Sequence, residues 1–372
     1  MPGRPPTARP GKPGASSGRP IVAGVAPHVR VLSGRATSAD LWASLDALAA
    51  RPNGLDDLHR RTHDSRAKER FAAYIHQAKE YFEAVRLAEP VAKPLLAYYF
   101  ALNLSKAFLT AVEPATTADK LRHGVSPVPI TSQRYRFTQE AFRVQARGVF
   151  RLVAEHTGQG FCWAGGREIH LKKVVGFLPE AADLYADAYG NHPRLIPVTE
   201  VTALFGEIDG ENASWLRVEV DRNTLQERGI GAERLLSEAK AFGNRFSLVD
   251  DGSNAATFSY ESKKIFTYHR RVDALPSLAE LFDRSLFAIQ RHRRGRPTFV
   301  VHSTRPELLS HEAVAFGVLH HLSDMVRYRP ERVEALISSN EYWLFAPWVD
   351  RACENFLLAM ASRIALEEHT VD

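Results

Sequence analysis

Between Pro94 and Val112 the chain is apolar almost all round, with Asn103, Ser105, Lys106 and Thr110 as its strongly polar positions. A segment of this kind folds as a helix that must be covered on nearly every side, so the rest of the chain has to supply its partners. Tyr99, Asn103, Lys106 and Thr110 recur at i, i+4, i+7 and i+11, which at about 100° per residue places them on one narrow stripe. A lysine on a thin stripe of an otherwise buried helix is costly unless something pairs with it. Asn103 and Lys106 interrupt the apolar run, so it reads as a core helix and not as a membrane span.

The words of the sequence around this helix are specific. KPLLAYYFALNLSKAFLTA, LRHGV and QRYRFTQEAFRVQARGVF follow one another between Lys93 and Phe150, and LHHLSDMVRYRP with a later NFLLAMASRI lies between Leu319 and Ile364. Together these blocks resemble the YaaC-like proteins, while the middle of the chain follows that family only in the order of its elements. The resemblance implies a bacterial protein of a family without an assigned reaction.

With 372 residues and 45% hydrophobic residues, the chain has the length for a large core and the composition of a soluble globular protein. Its net charge of +5 is unevenly placed. Residues 1–39 carry Arg4, Arg9, Lys12, Arg19, Arg30 and Arg35 and no acid, which leaves 42 bases against 43 acids in the remainder. The basic pI therefore belongs to a tail and is a poor argument for a nucleic-acid-binding face. That Pro-, Gly-, Arg- and Ser-rich stretch lacks an apolar core of its own and reads as disordered over 1–37. Cys162 and Cys353 stand far apart, with no CxxC or Cys/His ligand spacing, which suits free thiols in a reducing cytoplasm. No metal or cofactor is expected.

Helical periodicity is expected at Ser38–Ala50, Ala67–Leu87, Leu225–Phe242, His311–Tyr328 and Trp343–Leu366, with a short helix from Phe150 to His156. Strand signals fall within Arg134–Arg147, at Leu195–Leu204, Trp215–Val220, Phe246–Val249, Thr257–Tyr260 and Thr298–His302, with Gly206–Gly210 as a turn. The fold class expected is an α-rich α+β protein. Its blocks are a basic tail at 1–37, an N-terminal helical block at 38–160, a mixed α/β insertion at 161–305, and C-terminal helices at 306–372. The C-terminal helices are too apolar to stand free and are expected to dock on Pro94–Val112.

Candidate chemistry centres on Lys106 and His123 together with Asp324 and Arg327. His320, Asp324 and Arg327 share a helix face at i, i+4 and i+7. Two cations held by a carboxylate, with Asn103 on the same stripe and a histidine nearby, suit an anionic phosphate ligand, with His123 and Lys106 as catalytic candidates. The alternative is a structural ion pair in which Asp324 bridges to Lys106 or Arg327. Of the adjacent His320 and His321, which straddle two faces, one is expected to be a satisfied core histidine.

Long helices around a core are similar, by analogy, to the HEPN-type ribonucleases, which use an Arg followed four to six residues later by His. Arg70/His76, Arg151/His156, Arg296/His302, Arg305/His311 and Arg363/His369 fit, about as many as chance places in a chain with 37 arginines and 15 histidines. The spacing therefore carries no information. Asp251, Glu261 and Lys263 have a loose D…ExK pattern of the sort that holds Mg²⁺, and read equally as ordinary hairpin charges. No Walker A, G-x-S-x-G or HExxH sequence occurs.

Two function classes follow. The first is a non-catalytic interaction or regulatory protein with a polar site in its helical core. The second is a nucleotide- or RNA-handling enzyme built on Lys106, His123, Asp324 and Arg327. Nucleic acid or nucleotide is the partner to test, through the Arg4–Arg35 tail and the Arg291–Arg296 loop. No membrane partner is expected, and self-association is left open.

Overall fold

The structure, a computed structural model, describes residues 17–20, 37–50, 65–113, 121–129, 139–157, 166–189, 194–208, 210–249, 256–288, 298–301, 310–339 and 341–365. Most of the basic tail, the Arg291–Arg296 loop, Asp251 and Cys162 lie outside these residues. The α-rich α+β class is as expected: thirteen α-helices and three small sheets are present among the described residues.

The apolar segment is helix α3 (Lys93–Val112), opened by Pro94 in its first turn. Four helices cover it: α1 (Ser38–Ala50), α2 (Ser65–Leu87), α11 (His311–Tyr328) and α13 (Tyr342–Ala365). The α2, α11 and α13 helices pack on α3 directly, and α1 closes the layer by resting on α2 and α13. Phe71, Ile75, Ala78, Phe82 and Val85 of α2 form the buried face that its 3.6-residue periodicity implies. Trp42 of α1 meets Phe82 and Phe100 edge-on, and Phe100 meets Phe356 of α13. By length and composition α3 could cross a membrane, yet 72% of its apolar window is buried inside this fold. Its apolar surface is thus accounted for by neighbouring helices.

The same core continues through α4 (Val149–Thr157), α5 (Leu171–Val175) and α6 (Ala182–Tyr189), whose Val149, Phe150, Leu171, Val175 and Tyr185 are buried in it. A three-stranded antiparallel sheet lies against it, with β2 (Val125–Pro127), β3 (Ala141–Val144) and β4 (Glu168–His170) in that order. Only β3 was legible, as the strand expected within Arg134–Arg147. Helix α12 (Pro330–Ile337), between the two C-terminal helices, was not anticipated.

A second core is built around a twisted antiparallel sheet ordered β1-β6-β7-β9-β8, with β10 (Phe266–Thr267) also on β7. Its long hairpin is β6 (Glu200–Ile208) and β7 (Glu211–Asp221), with Ile208 opposite Glu211. The turn expected over Gly206–Gly210 is therefore confined to the two residues between those partners. Gly206 is a strand residue lying under the Trp215 ring. The expected hairpin of β8 (Phe246–Leu248) and β9 (Thr257–Ser262) forms as an antiparallel pair. Strand β1 (Ser17–Pro20), inside the stretch expected to be disordered, pairs with β6 at the sheet edge.

The long helix expected over Leu225–Phe242 is instead three short ones: α7 (Arg222–Glu227), α8 (Ala232–Glu238) and α9 (Lys240–Gly243). The break falls at Gly229, whose φ of +64° ends the first. Helix α10 (Arg271–Asp283) covers this sheet. The third sheet, β11-β12-β5, places β12 (Thr298–Val301) between β11 (Phe287–Ala288) and β5 (Leu195–Pro197).

Candidate functional site

The stripe on α3 runs between α2, where Tyr81 and Tyr74 meet Tyr99 and Lys106, and α11, which brings in residues more than two hundred positions away. Tyr98 is fully buried, and its hydroxyl is hydrogen-bonded to Nδ1 of His123. The Tyr98 ring meets His320 of α11 edge-on at 5.0 Å between centroids, and the His123 and His320 rings lie 5.7 Å apart. Arg327, in the last turn of α11, places its guanidinium 5.8 Å from the Tyr98 ring, 5.9 Å from Tyr99 and 4.9 Å from Tyr328. It donates to the Tyr99 hydroxyl at 3.4 Å. Lys106 stands with its ammonium 5.4 Å from the Tyr74 ring of α2. Each of these cations is thus set against an aromatic ring.

His123 is held in place by backbone. Its carbonyl accepts from Phe150 N–H at 3.0 Å, and the Arg122 carbonyl accepts from Val149 N–H at 2.9 Å. These are amides of the first turn of α4, which have no acceptor within that helix. Gly124, with φ +85°, turns the chain immediately after the histidine and packs back to back against Gly148, with φ +139°. The histidine loop is therefore an N-terminal cap on α4.

The electrostatics of the cluster are one-sided. Burial first, then the charges of Arg327 and Lys106, hold His123 below the usual imidazole range. His320 is pushed down to about 3 by burial, then by His123, His321, Arg327 and Arg329. Burial raises the Tyr98 phenol far above its ordinary value, so it keeps its proton at neutral pH. The phenol can donate to His123 Nδ1 or accept from it, and the tautomer of the imidazole sets which. Arg327 has no carboxylate at ion-pair distance among the described residues; its bonds go to the Tyr99 hydroxyl and the Ser323 carbonyl. His320, only 4% exposed, makes no hydrogen bond to any described residue.

Asp324 does not take the place expected of it. Its carboxylate accepts from Arg329 at 3.0 Å and bridges neither Lys106 nor Arg327. Arg329 is the residue where α11 ends and α12 begins, so it turns back over the helix and reaches Asp324 five positions earlier. Arg329 also lies 3.8 Å from Glu140, which is fully buried and accepts from His321 at 2.8 Å and Arg332 at 2.6 Å. His321 is thus the histidine bonded into the core, through Nε2, with its buried Nδ1 unpaired among the described residues, and His320 makes no hydrogen bond to any described residue. Asn103 donates to the Tyr99 carbonyl and the Thr110 hydroxyl to the Lys106 carbonyl, so both tie back to their own helix.

The other candidates stay apart. Arg151 is bonded to Glu155 and the Ala146 carbonyl, while His156 lies 3.6 Å from Glu113. Arg363 is bonded to the buried Glu312. Glu261 accepts from Arg217 and Lys263 donates to the Gly243 carbonyl, so neither faces a metal position with the other. Among the described residues no group of three or more His, Cys, Asp or Glu side chains is arranged to hold a metal ion. Sequence reasoning placed Tyr99 on the stripe but missed Tyr98 and Tyr328 as parts of the cluster. Their signal was present as adjacent aromatics, Tyr98-Tyr99 and Arg327-Tyr328, beside the positions already singled out.

A model of the family described as YaaC-like Protein matches residues 46–364. No curated protein and no solved structure is significantly similar to the chain. The matched span contains every residue of the cluster.

Proposed function

We propose that this chain, which belongs to the YaaC-like protein family, is a non-catalytic binding and regulatory protein that takes a phosphate-bearing anion at the polar site of its helical core. The observation that carries this reading is Arg327, a partly buried guanidinium among three tyrosines with no carboxylate to neutralise it among the described residues. A structural ion pair requires an acid on this stripe, and Asp324 is engaged by Arg329 instead. Lys106 adds a second cation that acts on the same histidine. His123 and His320 add imidazole nitrogens, and His320 makes no hydrogen bond to any described residue, so the site offers hydrogen bonds as well as charge. Arg327 supplies the planar fork that suits phosphate oxygens.

A second reading is turnover. The imidazole of His123, held below its usual range by burial, Arg327 and Lys106 and so neutral at pH 7, is the general base this reading uses. Phosphate release from a nucleoside triphosphate, or cleavage of single-stranded RNA, abolished by His123→Asn, would establish it.

We place the protein in the reducing cytoplasm of a bacterium, as the free and buried Cys353 suits. The basic stretch Arg4–Arg35 is proposed to add salt-sensitive contact with nucleic acid. Removing residues 1–37 then weakens that contact at low salt, and equal affinity of the full and shortened chains refutes it.

The test of the main reading compares wild type with Lys106→Ala and Arg327→Ala by thermal unfolding with and without pyrophosphate. Both variants should melt close to wild type and lose the stabilisation that pyrophosphate gives. A fall in stability of about 3–5 kcal/mol, with no ligand effect on the wild type, would mean that the cluster only holds the helices together.

A further inference from the structure

We infer that the anion taken here is a mononucleotide, its phosphates at Arg327, Lys106, His123 and His320 and its base stacked on Tyr328. This rests on the anion-site reading and adds the class of ligand. Tyr328 closes α11 next to Arg327 and is 68% exposed. It is the one aromatic among the exposed large apolar side chains of the described residues, the others being Leu87, Val91 and Ile265. The Arg327 guanidinium stands 4.9 Å from its centroid and accounts for one face of the ring. An aromatic face left in water beside a cation that has no acid at ion-pair distance among the described residues is the pairing a nucleotide uses, with the base on the ring and the phosphate on the guanidinium.

The neighbouring rings are already engaged. Tyr99 stacks on Tyr81 at 5.3 Å, and Tyr98 is buried against Phe316 and the two histidines. Tyr328 is therefore the ring of the cluster that an incoming base can reach. One platform of this kind tolerates any base, because every base has a π-face. A long nucleic-acid strand fits less well. Outside residues 1–39 the chain has 42 bases and 43 acids, which is no excess of positive charge for a polyanion to follow.

The experiment is calorimetric titration of the full chain with pyrophosphate, ADP, GDP and a short single-stranded oligonucleotide, repeated on Tyr328→Ala. ADP and GDP should bind about ten-fold or more tighter than pyrophosphate, as one base stack provides. Tyr328→Ala should lower ADP and GDP affinity about ten-fold more than it lowers pyrophosphate affinity, and Tyr328→Phe, which keeps the ring, should bind all three like wild type. Equal affinity for pyrophosphate and nucleotides, or nucleotide binding untouched by Tyr328→Ala, overturns the base assignment while the anion site stands. An oligonucleotide that binds more tightly than the nucleotides, with a steep salt dependence, overturns it in favour of a nucleic-acid strand. No binding by pyrophosphate, ADP or GDP removes both the inference and the anion site beneath it.

Discussion

Gly124 and Gly148 pass so close that a Cβ on Gly148 would stand 2.4 Å from the Gly124 Cα. Twenty-four positions apart, these two glycines fix where the backbone of His123 lies, since the amides of Val149 and Phe150 bond the carbonyls of Arg122 and His123. Gly148→Ala should therefore cost on the order of 3 kcal/mol or more, because the side chain has no room and the backbone sits at positive φ. Its phosphate affinity should fall as well, since the histidine loop is displaced. Denaturant unfolding and pyrophosphate titration check this. Wild-type values in both would show that the loop does not depend on that contact.

Glu140 anchors α11 and α12 to the small sheet through His321 and Arg332. Burial works to raise its pKa, but the bonds and charges of His321 and Arg332 outweigh that and hold it below the usual carboxylate range. A carboxylate with a lowered folded pKa contributes stability that is present above its unfolded value, about 4.5, and is lost as the pH falls through the folded value. Glu140→Gln should remove about 3–5 kcal/mol at neutral pH by leaving the partly buried guanidiniums of Arg332 and Arg329 uncompensated. It should also flatten the stability curve in the acid range. Denaturant melts across pH 3 to 7 would reveal an unchanged curve if the residue were dispensable.

His320 acts in the same direction over a higher range. Its folded pKa of about 3 lies below the ordinary 6.5, so the unfolded chain binds a proton that the folded one refuses. That contribution is present above about 6.5 and declines as pH falls toward 3, by up to about 1.4 kcal/mol per pH unit. His320→Gln should remove this slope between pH 4 and 6. A phosphate ligand should reverse part of it, because an anion favours the protonated ring. Its affinity should then rise as pH falls from the ordinary imidazole value, about 6.5, toward 3. Affinity that is flat over this range would separate the histidines from the ligand.

Cys353 lies fully inside the core, and burial raises its thiol pKa well above the ordinary value. In a Cys162→Ala background the native protein should be inert to thiol reagents at pH 8 and should react only once denaturant is added. Rapid native labelling would show that α13 opens from α1 and α3.

The helical frame was legible because burial leaves a periodic trace. The apolar all-round character of α3 and the stripes of α2, α11 and α13 announce elements that must cover one another. Short elements left no such trace: α5, α6 and α12 are eight residues or fewer, and their places are set by the surfaces they pack on. The site was partly legible in the same way. Lys106, His123 and Arg327 stood out as polar residues in apolar surroundings. Asp324 was misplaced because sequence spacing treats a carboxylate as belonging to its own helix face, whereas the bend at Arg329 returns a guanidinium to it. Tyr98 was hidden, since an aromatic on a buried face looks the same whether it packs or lines a site; His320 was read on the face of Asp324 and Arg327, with nothing to tell which of the two adjacent histidines is bonded into the core.

The most direct measurement is the imidazole nitrogen NMR spectrum of the protein, assigned with His123→Gln and His320→Gln and titrated with pyrophosphate. Ring signals of both His123 and His320 should move with one affinity, while those of His311 and His321, bonded to Glu180 and Glu140, stay in place. Signals of His123 and His320 that do not respond, at concentrations where Arg327 would be saturated by a phosphate ligand, would contradict an anion site in this helical core.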